Sequence, residues 1–184
     1  MEYLTAIDQP LFLLINHLPH NVIFDAVASG LSGIGQWGGI WFVLAAILFF
    51  REEKRDHWFF LPFVISGLLG SILSEILIKF LVARPRPAIE MGAIILANPG
   101  NYSFPSTHTT LAFAMAYILS REEPSLRRWF YTLAIFISLS RIYLGVHYPV
   151  DVVSGALLGT IIGWASFLLG RAIAGKYSSK KKQS

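Results

Sequence analysis

The chain has 184 residues, of which 54% are hydrophobic and only 14% charged, with a mean hydropathy of +0.57 and a formal charge of +4. The length fits one domain and leaves no room for a second. The apolar content excludes an ordinary soluble globule, because several runs approach the roughly 20 residues that carry a helix across a bilayer core. Cysteine is absent, which excludes disulfide frameworks and thiolate chemistry.

In chain order, residues 3–19 mix Leu11–Ile15 with Asp8, Pro10, Asn16 and His17, which predicts an interfacial helix rather than a crossing. The first 50 residues contain no Lys or Arg, so the basic start of a cleavable signal is not expected. The apolar run 37–50 predicts the first crossing and 57–82 the second. A proline-rich loop follows at 83–104, then crossings at 106–120, 129–144 and 150–172. The expected fold class is therefore all-α, a polytopic transmembrane helix bundle of five crossings, or six if 1–35 holds another. Residues 1–176 form a single membrane-embedded domain, and 177–184 a basic, disordered cytoplasmic tail.

Positive charge is distributed as topology, not as a nucleic-acid surface. Arg51, Lys54 and Arg55 fill one polar break, Arg121, Arg127 and Arg128 another, and Arg171, Lys176, Lys180, Lys181 and Lys182 the C-terminus. Under the positive-inside rule these ends are cytoplasmic. Lys79, Arg84, Arg86 and Arg141 then fall at the opposite face, outside the cytoplasmic membrane.

At that face three strings converge: Lys79-x6-Arg86-Pro87, Pro105-Ser106-Thr107-His108, and Ser140-Arg141-x5-His147-x3-Asp151. Isolated cations beside lipid are costly, and an anion bound among them removes the cost. Two Arg forks and a Lys point charge suit phosphate oxygens. Ser106 stands at a helix start, where free N–H groups add donors. Asp151, four residues after His147, can reach back to Nδ1–H and leave Nε2 as a nucleophile. His108 on another helix suits a general acid and base. Glu75 precedes Lys79 by four residues on one helical face and is expected to orient it.

These strings resemble the tripartite signature of the type-2 phosphatidic acid phosphatase family, membrane lipid phosphatases related to vanadium haloperoxidases. The resemblance implies a metal-independent, cofactor-free hydrolase with His147 as nucleophile, His108 as acid–base and Asp151 as support. It implies Lys79, Arg86, Ser106 and Arg141 as phosphate ligands, with Thr107 beside them. The family usually has Gly where this chain has Thr107; the backbone N–H survives, and the added side chain narrows the pocket or contributes a hydroxyl.

The expected substrate is a lipid phosphate, first a polyprenyl diphosphate such as undecaprenyl diphosphate, by analogy with small bacterial members. Phosphatidylglycerol phosphate, phosphatidic acid and the 1-phosphate of lipid A are alternatives. Rival readings are a transporter, which would want charges at mid-membrane and paired halves, and a catalytically silent lipid-binding protein, which has no need of a complete His108–His147–Asp151 set. Arg84 reads as an interfacial anchor or rim residue, and His17, His20 and His57 as ordinary surface. Tyr3, Trp37, Trp41, Trp58, Trp129, Tyr131, Tyr143 and Tyr148 read as an aromatic belt, and Gly155 with Gly159 as a packing seam inside the bundle. Carboxylates at the outer face are too few for a metal cage, and nothing in the string sets an oligomeric state.

Overall fold

The computed structural model describes residues 2–51, 57–97 and 100–181, and side chains within 7–176 of these except Trp37 and His57. Among the described residues all regular structure is helical. Helix α1 is Glu2–Asn16, α2 Val22–Gly35 and α3 Gly39–Arg51. Helix α4 runs Trp58–Val82, α5 Thr107–Glu122, α6 Arg127–Tyr143 and α7 Pro149–Lys181. The starts follow local chemistry. Asn21 Oδ1 accepts from the N–H groups of Ile23 and Phe24 at 3.0 and 2.9 Å to cap α2, and Pro149 occupies the first turn of α7, where its missing N–H costs nothing.

Helix α5 is the centre, packed on α4, α6 and α7. Its Met115, Ile118 and Leu119 are wholly buried with Trp41, Phe63 and Ile137 from the surrounding helices. The outside is apolar too. Val153, Leu157, Ile161, Trp164 and Leu168 form one exposed stripe along α7. The opposite stripe carries Gly155, Gly159 and Gly163, where a Cβ would fall 2.8 Å from Ser106 O, 2.2 Å from Thr110 O and 2.5 Å from Ala114 O. Large apolar residues outside and small ones inside are the pattern of a helix that meets lipid on one side and a neighbouring backbone on the other. The glycine seam predicted at 155 and 159 therefore joins α7 to α5 within the chain and extends one turn further.

By length and composition α4, at 25 residues, and the 28 residues Pro149–Lys176 of α7 are each apolar enough to cross a membrane, and α2 with α3 adds a third candidate if the pair, bent by 67°, counts as one. The expected first crossing at 37–50 is thus one limb of a bent pair. Helices α5 and α6, at 16 and 17 residues, rise only about 24 to 26 Å at 1.5 Å per residue.

Several expectations change. Asp8 and Asn16 of α1 are fully buried, so the helix turns its polar residues inward: Asn16 Nδ2 donates to Ile94 O and Tyr143 O, and its Oδ1 accepts from Ile94 N–H. Trp41, Tyr143 and Tyr148 are buried rather than in a belt, whereas Trp129 is 71% exposed. His20 is no free surface group; its ring stacks on Tyr143 and bonds Asp25 Oδ1 at 2.9 Å and Asn16 O at 2.7 Å. Helix α7 runs into the expected tail as far as Lys181, and the rest of that tail lies outside the described residues. Lys54, Arg55, Lys182 and the side chains of Tyr3, Trp37, His57, Lys180 and Lys181 lie outside the described residues.

Candidate active site

One end of the bundle encloses a cavity of about 200 Å³ lined by Gln36, Glu75, Lys79, Arg86, Asn101, Thr107, His108, Leu111, Arg141 and His147. Residues up to 111 positions apart in the chain meet there because the C-terminal ends of α4 and α6 and the N-terminal end of α5 point the same way. Within α4 the stretch Ile72–Ile78 is π-helical before the α-helix resumes at Lys79. Such widened turns recur where a helix must aim side chains at a site. Here it carries Glu75 and delivers Lys79, buried, into the cavity.

The cations differ in how far the protein satisfies them. Lys79 Nζ donates to Glu75 Oε2 at 2.5 Å, so Glu75 holds Lys79 as the spacing predicts. Glu75 also accepts from Thr107 Oγ1 at 2.6 Å and from Asn101 Nδ2. Thr107 therefore contributes its hydroxyl to the wall of the site. Arg86 is braced by loop carbonyls: Nε donates to Asn101 O at 2.7 Å, Nη2 to Asn101 Oδ1 at 2.6 Å, and Nη1 to Val146 O at 2.6 Å. Burial pulls Arg86 down to about 10, against Asp151 and Glu75, which raise it. It stays charged at neutral pH, with one N–H on Nη2 left over. Arg141 is 5% exposed; Nη1 donates to Ser32 Oγ on α2, and Nε is buried without a partner. A guanidinium N–H that is buried and unanswered beside a cavity calls for an acceptor inside it.

His147 lies in the turn between α6 and α7 and is 2% exposed. Its Nε2 stands 3.4 Å from Arg86 Nη1. Arginine only donates, so Nε2 carries the lone pair and Nδ1 the proton. Nδ1 faces Asp151 Oδ2 at 3.5 Å and completes no hydrogen bond to it or to any other group. Burial pushes the imidazole down to about 4, against the Asp151 carboxylate, which raises it. His147 is therefore neutral at pH 7. His108, in the first turn of α5, lines the same cavity.

Two expected members stand behind the wall rather than on it. Ser106 is fully buried and caps α5: its Oγ accepts from Thr109 N–H at 3.5 Å and from Thr109 Oγ1–H at 3.1 Å, and its own N–H donates to Asp151 O at 3.1 Å. Asp151 is likewise fully buried, with Oδ2 accepting from Tyr148 N–H at 2.9 Å and Oδ1 from Arg84 Nη1 at 2.7 Å. Arg84 corrects the interfacial reading outright: it is 8% exposed, bonded to two carboxylates and stacked on Tyr148 at 4.1 Å. Sequence reasoning also missed Gln36, Asn101 and Ser32, which carry no spacing signal. Among the described residues no group of three or more His, Asp or Glu side chains could hold a metal ion.

Comparison with known proteins agrees with this geometry. Residues 59–173 match the PAP2 superfamily. An undecaprenyl-diphosphatase of Sulfolobus acidocaldarius is 33% identical over 70% of the chain and 61% of its own length. A lipid A 4'-phosphatase of Bacteroides thetaiotaomicron is 27% identical over 97% of the chain and 84% of its own length. The crystal structure of Aquifex aeolicus LpxE superposes with a TM-score of 0.70 at 33% identity, covering 88% of this chain and 94% of that one.

Proposed function

The chain belongs to the PAP2 superfamily and is a membrane phosphatase, a hydrolase of phosphoric esters; from that premise we propose that it removes a phosphoryl group from a polyprenyl diphosphate at the outer face of the cytoplasmic membrane. The observation that carries this is the Arg141 guanidinium, buried at the cavity with an unanswered N–H, beside Lys79, Arg86 and two imidazoles. Three cations against the one carboxylate of Glu75 leave a surplus of two positive charges, which matches the terminal phosphoryl of a diphosphate. The cavity, about 200 Å³, falls below the roughly 300–1,000 Å³ of pockets that swallow a whole ligand. It suits a headgroup whose tail stays in the bilayer.

In the proposed mechanism His147 Nε2 attacks phosphorus in line as the bond to the leaving oxygen breaks. His108 gives its proton to that oxygen. Lys79, Arg86 and Arg141 with the N–H groups opening α5 neutralise charge on the three equatorial oxygens. Water then attacks the phosphohistidine, losing its proton to His108, and phosphate leaves with His147 neutral again. The reading takes five crossings, α2–α3 as one bent unit and α4 to α7 singly; the positive-inside rule then assigns the end with Arg51, Arg121, Arg127 and Arg171 to the cytoplasm and the cavity to the opposite face. A phosphomonoester lipid, as in lipid A or phosphatidylglycerol phosphate, is the second reading, favoured by the lipid A 4'-phosphatase match over nearly the whole chain.

The test is phosphate release in detergent micelles from undecaprenyl diphosphate, phosphatidylglycerol phosphate, phosphatidic acid and lipid A, with EDTA present and His147→Ala as control. The expected outcome is fastest release from the diphosphate and loss of at least about 10³-fold in the variant. A requirement for added magnesium, or activity without His147, overturns the mechanism; faster cleavage of a monoester overturns the substrate.

A further inference from the structure

Behind the cavity lies a buried ionic chain that the cavity itself does not need. Asp8 of α1 accepts from Arg84 Nη2 at 2.6 Å, and Arg84 Nη1 donates to Asp151 at 2.7 Å. Both carboxylates are fully buried and the arginine side chain is 10% exposed. Asp8 Oδ1 also accepts from Val150 N–H at 2.9 Å, in the first turn of α7. Asp8 lies outside the stretch 59–173 that matches the superfamily.

Buried charge is tolerated when it is paired, yet this chain does not balance. Asp8 and Asp151 bring two negative charges and Arg84 one positive. His147 stands at its open end, Nδ1 3.5 Å from Asp151. The resting imidazole is neutral, so the surplus persists within the chain and is offset only from outside it, by Arg86 beyond the ring. When Nε2 bonds phosphorus, the ring keeps its Nδ1 proton and becomes a cation, and the chain is then neutral. An interaction that strengthens only as the reaction proceeds is the kind that accelerates it.

We propose that Asp8 and Arg84 are positioning residues for the nucleophile, setting through Asp151 the field and orientation of His147, so that the N-terminal helix completes the site. Arg84 stops Asp151 from swinging fully onto His147, and Asp8 restrains Arg84 from neutralising Asp151 entirely. This rests on His147 being the nucleophile. The other charged or titratable groups around its ring are Arg86 from the loop, Arg141 from α6, His108 from α5, and Lys79 with Glu75 from α4 across the cavity; none of them is altered in the test.

The experiment is the pH dependence of kcat/KM for the full chain in micelles, on undecaprenyl diphosphate or phosphatidylglycerol phosphate, whichever the wild type cleaves faster. The substrate's own ionisation is common to all variants. Arg84→Gln leaves two uncompensated carboxylates and moves the acid limb up by about one pH unit. Asp8→Asn removes one negative charge and moves it down. The double variant returns it toward wild type, and Arg84→Lys, which keeps the charge, leaves it in place with a lowered kcat. Should Arg84→Gln not fold, Asp8→Asn carries the same test, because its amide still accepts from Val150 N–H. Unmoved limbs in Arg84→Gln and Asp8→Asn, or a limb in Arg84→Lys that moves as far as in Arg84→Gln, overturn the proposal. An active His147→Ala overturns the reading beneath it; an inactive His147→Ala with unmoved limbs sinks this inference alone.

Discussion

The two ends of the bundle use the same residue types for opposite purposes. At one end Lys79, Arg84 and Arg141 are buried, and Arg141 is left short of an acceptor. At the other, Arg121 and Arg171 lie over the Phe167 ring at 5.6 and 5.3 Å, Arg127 lies over Tyr131 at 6.0 Å, and Arg171 meets Glu122 at 2.9 Å with its side chain 62% exposed. An exposed arginine on a ring is already satisfied by water and packing. A buried one with a spare donor is waiting for a ligand. On the proposed function, the residues that meet phosphate are therefore picked out by unmet hydrogen bonds rather than by charge.

That contrast breaks most readily at Arg141. Arg141→Ala is expected to lower kcat by about 10² to 10³-fold in a phosphate-release assay; near-normal turnover would make the cavity cations mere anchors. The pH–rate profile sharpens it next. In the proposed mechanism His147 must be neutral to attack, and it protonates as pH falls through about 4. The kcat/KM profile should be flat above that value as far as His147 is concerned, and fall about tenfold per pH unit below it. A limb near the ordinary histidine value would mean that Nε2 is not the group being titrated. A smaller effect comes from the α5–α7 seam. Gly159→Val forces a side chain onto Thr110 O, at a cost of about 1–3 kcal/mol read as a lowered melting midpoint. Val153→Ala, on the exposed stripe of the same helix, should barely shift it. Smallest of all, Arg121→Ala and Arg171→Ala at the far end should leave turnover unchanged and stability within about 1 kcal/mol.

Much of the site was legible because each motif string pairs a chemical type with a helix end. Lys79, His108 and Arg141 each fall at or near the terminus of an apolar run, and runs joined by short breaks must alternate in direction. The pairing of Glu75 with Lys79 followed from helical spacing alone. What stayed hidden has no local signature. Arg84 meets Asp8 and Asp151 across 76 and 67 positions, so nothing in its own neighbourhood marks it as buried, and a cation near a span end defaults to the interface. Trp41 misled for the same reason: at the start of α3 it looks like a belt residue, and only packing against the centre of α5 puts it in the core. The bend between α2 and α3 falls in a glycine-rich stretch, where Gly38 takes a φ of 75°; such a stretch marks a break without giving its angle.

The glycine seam has one more consequence. His108 sits in the first turn of α5, and His147 sits just before α7. Those two helices touch backbone to backbone, from the Ser106 N–H bonded to Asp151 O down through Gly155, Gly159 and Gly163. The proposed donor and attacker thus ride on a single strut. Main-chain contact gauges the spacing of the two backbones that carry the rings, and side-chain rotation alone is left to tune the gap in which the proposed mechanism seats phosphorus.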